Sequence, residues 1–483
     1  MRKFHPLFLA ALLGAAPFAA SGQEFAVNPQ VQKIVGQISE DRLHATIEKL
    51  VSFGTRNLMS SQDDPNRGIG AARKWIFSEM QSYSPRLEVR YDHWRVKKQG
   101  QRIVKDTDLY NVVAVLPGKT MPETAIIVSG HYDSLNLGTP PSQGASGGTD
   151  GARALAPPTR VDWSKLIDLP APGACDDGSG TAAVMELARV MSQYEFDKTL
   201  IFIAFAGEEE GLVGSTLEAA KMAADKQTIE AVLNNDIIGT DRSGNGRMGN
   251  DAVAIYSDEV EDSPSQSLAR YARLMGERYL PDMKVNLVFM QDRLGRGGDH
   301  APFQQEGFAA VRISTPNEIY ANQHHATDTL ENMSIPYTAR VTRVNAAVAA
   351  SLALSPRPPA VMSVPRQPRE GAAAQPANAP GTPARGPLPM ISRGRSGYDA
   401  QLRWRAAGPD ASIQGYAIVI RATTSPYWQQ EIYVGKVTEY LLRDVSIDDA
   451  RFGVKAIGTD GGESIVAPYV YPERKKAVIE TIP

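Results

Sequence analysis

Five short blocks of this sequence carry carboxylates and imidazoles where a catalytic metal would need them. The first is Ser129-Gly130-His131-Tyr132-Asp133-Ser134, which closes the apolar run Ile126–Val128. A histidine at the end of such a strand faces the crevice where open α/β sheets bind ligands. Asp133, two residues on, could hold the ring's other nitrogen, as the partners of metal-bound histidines do. The second block, Cys175-Asp176-Asp177-Gly178-Ser179-Gly180, opens an amphipathic helix, so one carboxylate can cap the helix while the other coordinates a cation. The third, Gly207-Glu208-Glu209-Glu210-Gly211-Leu212, directly follows the apolar run Thr199–Phe205. Charges at the end of a buried strand need partners, and a metal ligand beside a free general base meets that need. The fourth is Asn234-Asn235-Asp236. The fifth is Asn322-Gln323-His324-His325-Ala326-Thr327-Asp328, preceded by Gly298-Asp299-His300. Taken singly, each has a bland reading: a satisfied structural histidine, an exposed turn, a solvated helix face. Together they supply what a binuclear site requires, one carboxylate between two ions and one nitrogen and one carboxylate for each.

These side chains need a scaffold that brings strand ends together. From about residue 27 to 354 helical and strand-like patterns alternate. Helices are expected over Val31–Phe53, Gly70–Tyr83, Gly180–Tyr194, Ser263–Tyr279 and Ile335–Leu354. Strands are expected over Leu87–Trp94, Leu109–Leu116, Thr124–Gly130, Thr199–Phe205, Ala231–Asn235, Val285–Gln291 and Phe308–Ser314. The alternation implies a three-layer αβα domain on a mostly parallel sheet. Leu135–Pro172 interrupts it without periodicity, and a loop that long inside a compact domain is usually functional or mobile.

Composition sets limits. Of the 483 residues, 42% are apolar and 22% charged, with a net charge of −3, which excludes a chain disordered throughout and a multi-span membrane protein and offers no basic excess for nucleic acid. Cys175 stands alone, so no intrachain disulfide is possible. Arg2 and Lys3 followed by the apolar stretch Leu7–Ala20 and small residues to Gly22 read as a signal peptide over residues 1–22, hence a secreted or periplasmic protein; a membrane span would need about 20 apolar residues.

Residues 355–390 hold ten of the 33 prolines and read as a Pro/Ala linker. Residues 391–475 then show short alternating runs, expected to form a small β-sandwich separable from the first unit. It resembles a fibronectin type III module in Leu402-x-Trp404, Gly415–Val419 and Phe452-x-Val454-x-Ala456, although Ala450-Arg451 stands where that family usually carries a tyrosine.

The order His-x-Asp-Ser, Asp-Asp-Gly-Ser-Gly, Gly-Glu-Glu-x-Gly-Leu-x-Gly-Ser, Asn-x-Asp-x-x-Gly, Asp-His-x-x-Phe and a late His four residues before Asp-Thr resembles the M28 family of co-catalytic zinc peptidases, over about residues 30–354. The resemblance implies two zinc ions, one held by His131 and Asp236, the other by Glu209 and His324, with Asp176 between them. It implies Glu208 as general base and Asp133 as the group orienting His131. Glu210 stands where the family often has an apolar residue, so the register of base and ligand is set by the distance to Gly211-Leu212. His325 competes with His324, and the spacing to Asp328 favours His324. Asp177 is assigned to the loop and helix start, and Asp299 and His300 to the pocket. The implied activity is aminopeptidase action on peptides with a free N-terminus. A glutaminyl cyclase-like transferase, another exopeptidase or amidase, and a catalytically silent adhesion scaffold are the alternatives. The C-terminal module could bind a surface or protein partner.

Overall fold

The computed structural model describes residues 27–138, 162–363, 391–406 and 412–470. The segment read as a signal peptide, residues 139–161 of the long loop and residues 364–390 of the Pro-rich stretch lie outside these. Among the described residues no helix is long and apolar enough to cross a membrane.

Eight strands form one sheet: β1 (Glu88–Val96), β2 (Thr107–Leu116), β3 (Met121–His131), β4 (Lys198–Phe205), β5 (Thr228–Asn235), β6 (Ala252–Tyr256), β7 (Lys284–Val288) and β8 (Ala310–Ser314), in the order β1-β2-β4-β3-β5-β8-β6-β7. The central strands β4, β3, β5 and β8 are parallel to one another, whereas β1–β2, β2–β4 and β6–β8 pair antiparallel. The sheet is therefore mixed, with the expected parallel arrangement at its centre. Every residue of β4 is buried, as a strand covered on both faces by helices requires. Parallel neighbours end at one edge. His131 stands in register with Phe205, and Ser129 with Asn234, so the blocks that follow β3, β4 and β5 emerge side by side.

Helices cover both faces. One layer holds α1 (Pro29–Gly36), α2 (Glu40–Ser52), α3 (Gly68–Tyr83), α4 (Gly178–Met191), α6 (Pro264–Tyr279) and α8 (Ile335–Leu354). The other holds α5 (Val213–Ala224) and α7 (His300–Gln305), packed through Ala219, Met222 and Phe303 onto Ile127, Ile203 and Val232. The single helix expected over Val31–Phe53 is two. Ser39 caps α2 by accepting the N–H of Arg42 at 3.2 Å, and Glu40 and Asp41 fill its first turn, a start signal strong enough to interrupt the apolar periodicity. The short β6, α5 and α7 had no distinct signal in the sequence pattern.

The C-terminal unit has two sheets, β13-β10-β9 and β12-β11-β14-β15, built from β9 (Ala360–Val361), β10 (Ala400–Arg405), β11 (Ile413–Ala422), β12 (Gln430–Gly435), β13 (Glu439–Leu442), β14 (Ala450–Gly458) and β15 (Ala467–Pro468). Trp404 is buried between them, edge-on to Tyr416 at 5.5 Å. Residues 355–363, the start of the stretch read as linker, are held by both units: Ser355 Oγ accepts from the buried Lys198 of β4, and Val361 pairs with Trp404 of the C-terminal unit. The unit docks on α6 and the turn before it. Asp262, buried, receives Arg421 at 2.7 Å from the sandwich and Arg270 at 3.1 Å from α6. Glu261 takes Arg451 at 2.5 Å, Arg278 meets Glu463 at 2.6 Å, and Ile465 joins the main hydrophobic core.

Candidate metal centre

The strand ends carry the candidate ligands to one point. His131, the last residue of β3, sets Nε2 3.2 Å from Asp176 Oδ1. From the far side His324 sets Nε2 3.1 Å from Asp176 Oδ2 and 3.2 Å from Glu209 Oε2. Ligand atoms of His131, Asp176 and Asp236 lie within 4.8 Å of one another, and so do those of Asp176, Glu209 and His324. The two groups share Asp176. Within the glutamate run, Glu209 faces His324, Glu210 turns away to accept from Asn57 Nδ2 at 3.0 Å, and Glu208 is half-buried beside the cluster. The two adjacent histidines separate as well, since His325 directs Nδ1 to the carbonyl of Gly138 at 3.2 Å.

Local backbone sets these directions. Asp177 caps α4, accepting the N–H of Gly180 at 2.8 Å, and the same carboxylate takes the N–H groups of His131 and Ile237 at 3.2 Å. It ties together three of the blocks, which leaves Asp176 free for the cluster. Gly180 is required here because a Cβ would come within 2.4 Å of the Asn235 carbonyl. Ile237 and His324 adopt left-handed φ of 58° and 56°. Such conformations cost energy in non-glycine residues, a β-branched one above all, and persist where surrounding structure enforces them, often at functional sites. Asp133 bridges two blocks. Its carbonyl lies 3.2 Å and its carboxylate 3.5 Å from His131 Nδ1, while Oδ2 accepts the N–H of Glu209 at 3.0 Å. The backbone carbonyl thus shares with the carboxylate the orienting role expected of Asp133.

The charges are strongly coupled. Burial works against a proton on His131, but Asp133 and Asp176 outweigh it and raise its pKa well above the usual value. For His324, burial is likewise overcome by Glu209 and Asp176, and the pKa rises to about 11. Asp176 is held well below the carboxylate range: burial opposes this, and the two histidines prevail. Burial pushes Glu208 well up; His131 opposes, and Glu209 and Asp236 add to the rise. A cluster this acidic needs cations. His131 Nε2, Asp133 Oδ1 and Glu209 Oε1 are buried without hydrogen-bond partners, although buried polar atoms normally have one. Hard and borderline oxygen and nitrogen donors in this number suit zinc. The residues present form two donor groups that fit zinc, and a cation taken up at either would have to displace the histidine proton.

Several supporting residues were not singled out from the sequence. Asp328 accepts the N–H groups of Cys175 and Asp176, and Gln323 donates to Asp176 Oδ2 at 3.0 Å. Both lie in the fifth block, where Asp328 served only as a spacing mark. Arg56 is fully buried and donates to the carbonyls of Tyr132, Pro172 and Gly173, clamping the first block to the second. Nothing near Arg56 in sequence announces a site. Asp299 and His300 sit beside the cluster; burial raises Asp299 to about 7 and lowers His300 to about 4.

The sequence profile of peptidase family M28 matches residues 111–349, which contain every candidate ligand. A probable zinc metalloprotease of Pyricularia oryzae is 34% identical over 90% of this chain and 83% of its own length. Another probable zinc metalloprotease, from Phaeosphaeria nodorum, is 31% identical over 92% of this chain and 87% of its own. Among solved structures, the LapA aminopeptidase of Legionella pneumophila matches with a TM-score of 0.50 at 18% identity, covering 68% of this chain and 76% of that one, a likeness of fold. Identity of 31–34% to these metalloproteases along nearly the whole length, over a sheet whose strand ends gather these donors, leads to one conclusion: the chain belongs to peptidase family M28 and is a zinc metallopeptidase.

Proposed function

We propose that the protein is a secreted aminopeptidase that uses two zinc ions to release N-terminal residues from peptides. One observation carries this reading: the Asp176 carboxylate lies between two imidazoles, 3.2 Å from His131 and 3.1 Å from His324, with Asp236 and Glu209 completing the two sides. When bound, the ions would supply Lewis acidity and lower the pKa of the attacking water. His131 and Asp236 would hold one ion, Glu209 and His324 the other, and Asp176 both. Glu208 accepts the proton of the water and delivers it to the leaving amine; its half-buried carboxylate stands next to the ligands and carries a raised proton affinity. Asp133 keeps His131 and the Glu209 backbone in place. Aminopeptidase action rests on the family and on the name of a protein sharing the fold. Secretion rests on the N-terminal apolar pattern. A type III-like C-terminal module is supported by its three- and four-stranded sheets around Trp404.

The test pairs metal analysis with substrates. Two zinc ions per chain and hydrolysis of free but not N-blocked aminoacyl substrates support the reading. Cleavage of blocked substrates would reassign the specificity. Cyclisation of N-terminal glutamine without release of a residue would favour a transferase.

A further inference from the structure

Arg312 stands in the middle of β8 with no exposure to solvent. Its Nε lies 3.0 Å from Asp236 Oδ2, Nη2 donates to the Asp236 carbonyl at 3.3 Å, and Nη1 donates to Asp292 Oδ1 at 2.6 Å. Asp292 is itself buried. The result is a line of three buried charges, Asp292, Arg312 and Asp236, ending on a candidate metal ligand. The chain also keeps this point clear. A Cβ on Gly298 would come within 3.2 Å of both Asp236 Oδ2 and Arg312 Cδ. The other side of the centre is built differently: among the described residues no arginine pairs with the Glu209 carboxylate, whose Oε1 has no hydrogen-bond partner.

We propose that Arg312 and Asp292 are positioning residues that hold Asp236 as a one-oxygen donor and so set metal affinity at the His131–Asp236 position, separately from the Glu209–His324 position. The inference rests on the two-metal reading above. With Oδ2 ion-paired to the guanidinium at 3.0 Å, the carboxylate is biased in orientation, and its other oxygen is the one left to give. The guanidinium also withdraws negative charge from Asp236, and Asp292 offsets that withdrawal. Outer partners of this kind are worth about 10–100-fold in metal affinity.

Two variants act on different parts of the line with the same sign. Asp292→Asn keeps the fork in place but leaves Arg312's charge uncompensated beside a cation; Arg293, the other cation on Asp292, retains Glu318 at 2.7 Å. Arg312→Lys keeps the charge but cannot reach both carboxylates and the carbonyl at once. Each should lose about 10–100-fold in affinity at one position only, and Asp292→Glu should recover part of it.

Full-length protein stripped of metal is titrated with zinc against a chromophoric chelator, and with Co(II) by absorption. His131→Ala and His324→Ala serve as single-position references. The half-loaded Asp292→Asn and Arg312→Lys proteins should show the Co(II) spectrum of His131→Ala, which keeps only the Glu209–His324 position. Folded variants that titrate like wild type, or that lose both positions equally, overturn the proposal. A wild type that takes up one ion sinks the two-metal reading; the inference is then judged on that ion, standing if Asp292→Asn weakens it and falling if it does not.

Discussion

Asp328 accepts the backbone N–H of Asp176 at 2.9 Å, and its second oxygen takes the N–H of Cys175 at the same distance. The residue between the two histidines is thus aimed by its own backbone, held from a loop more than 150 positions downstream. Asp328 is buried, and burial raises its pKa to about 7. An amide can accept only through its single oxygen and would turn its NH2 group toward the other N–H. Asp328→Asn should therefore keep the fold but weaken metal binding about 10–100-fold, measured as zinc retained after dialysis against a metal buffer. Wild-type retention would remove Asp328 from the support of Asp176.

Glu208 and Glu209 are neighbours with different duties. Glu208→Gln should retain metal and lose about 10²–10⁴ in turnover, the usual contribution of general-base catalysis. Glu209→Gln should instead lose the ion that it shares with His324. Metal content and kcat measured on the same preparations separate the two; exchanged phenotypes would show the register along Glu208-Glu209-Glu210 to be wrong.

The sandwich is fastened to the peptidase unit by buried charge. Arg421→Met should cost about 2–3 kcal/mol, below the usual 3–5 for breaking a buried pair, since Asp262 keeps Arg270 at 3.1 Å. A chain ending at Leu354 loses this arginine together with Arg451, Glu463 and Ile465, and it should melt well below the full protein. Below that transition its turnover on small substrates should persist, because every candidate ligand precedes Asp328. Equal melting temperatures would show the docked contacts to be unimportant for stability.

Glu218 on α5 titrates away from the centre. Burial, then Asp92, raises its pKa from an ordinary 4.5 to about 7. The folded state thus binds a proton more tightly than the unfolded one. Its contribution to stability is complete below about pH 4.5 and is lost as pH rises through about 7. Glu218→Gln cannot titrate, so wild type should lose up to about 3 kcal/mol relative to the variant across that window. Urea melts of metal-free protein between pH 4.5 and 8 check this; parallel curves would show that Glu218 is not a proton binder there.

The sequence by itself determined which residues could form the centre. The reason is local. Four of the five donors end or follow an apolar strand or open an amphipathic helix, so hydrophobic periodicity marks the element and the charge at its end stands out, as with His131 at the end of β3 and Glu209 after β4; His324 lies in a turn and is marked only by its neighbours in the fifth block. The buried β4, helix α4 and the Trp404 strand were legible for the same reason. What only the tertiary structure decided depends on contacts between distant segments. No periodicity announces that Arg312, inside a buried strand, would meet Asp236 and Asp292, or that Arg56 would clamp two loops. The choice between His324 and His325 was made by a left-handed turn that swings one ring to Asp176 and leaves the other on Gly138. The docking of the sandwich has no local signal: Arg421 is buried because Asp262 and Glu261 face it from the other unit, with the partly exposed Arg451 beside it on Glu261. Local pattern records which face of an element is apolar, whereas the pairing of charges across the fold is settled only when the elements pack.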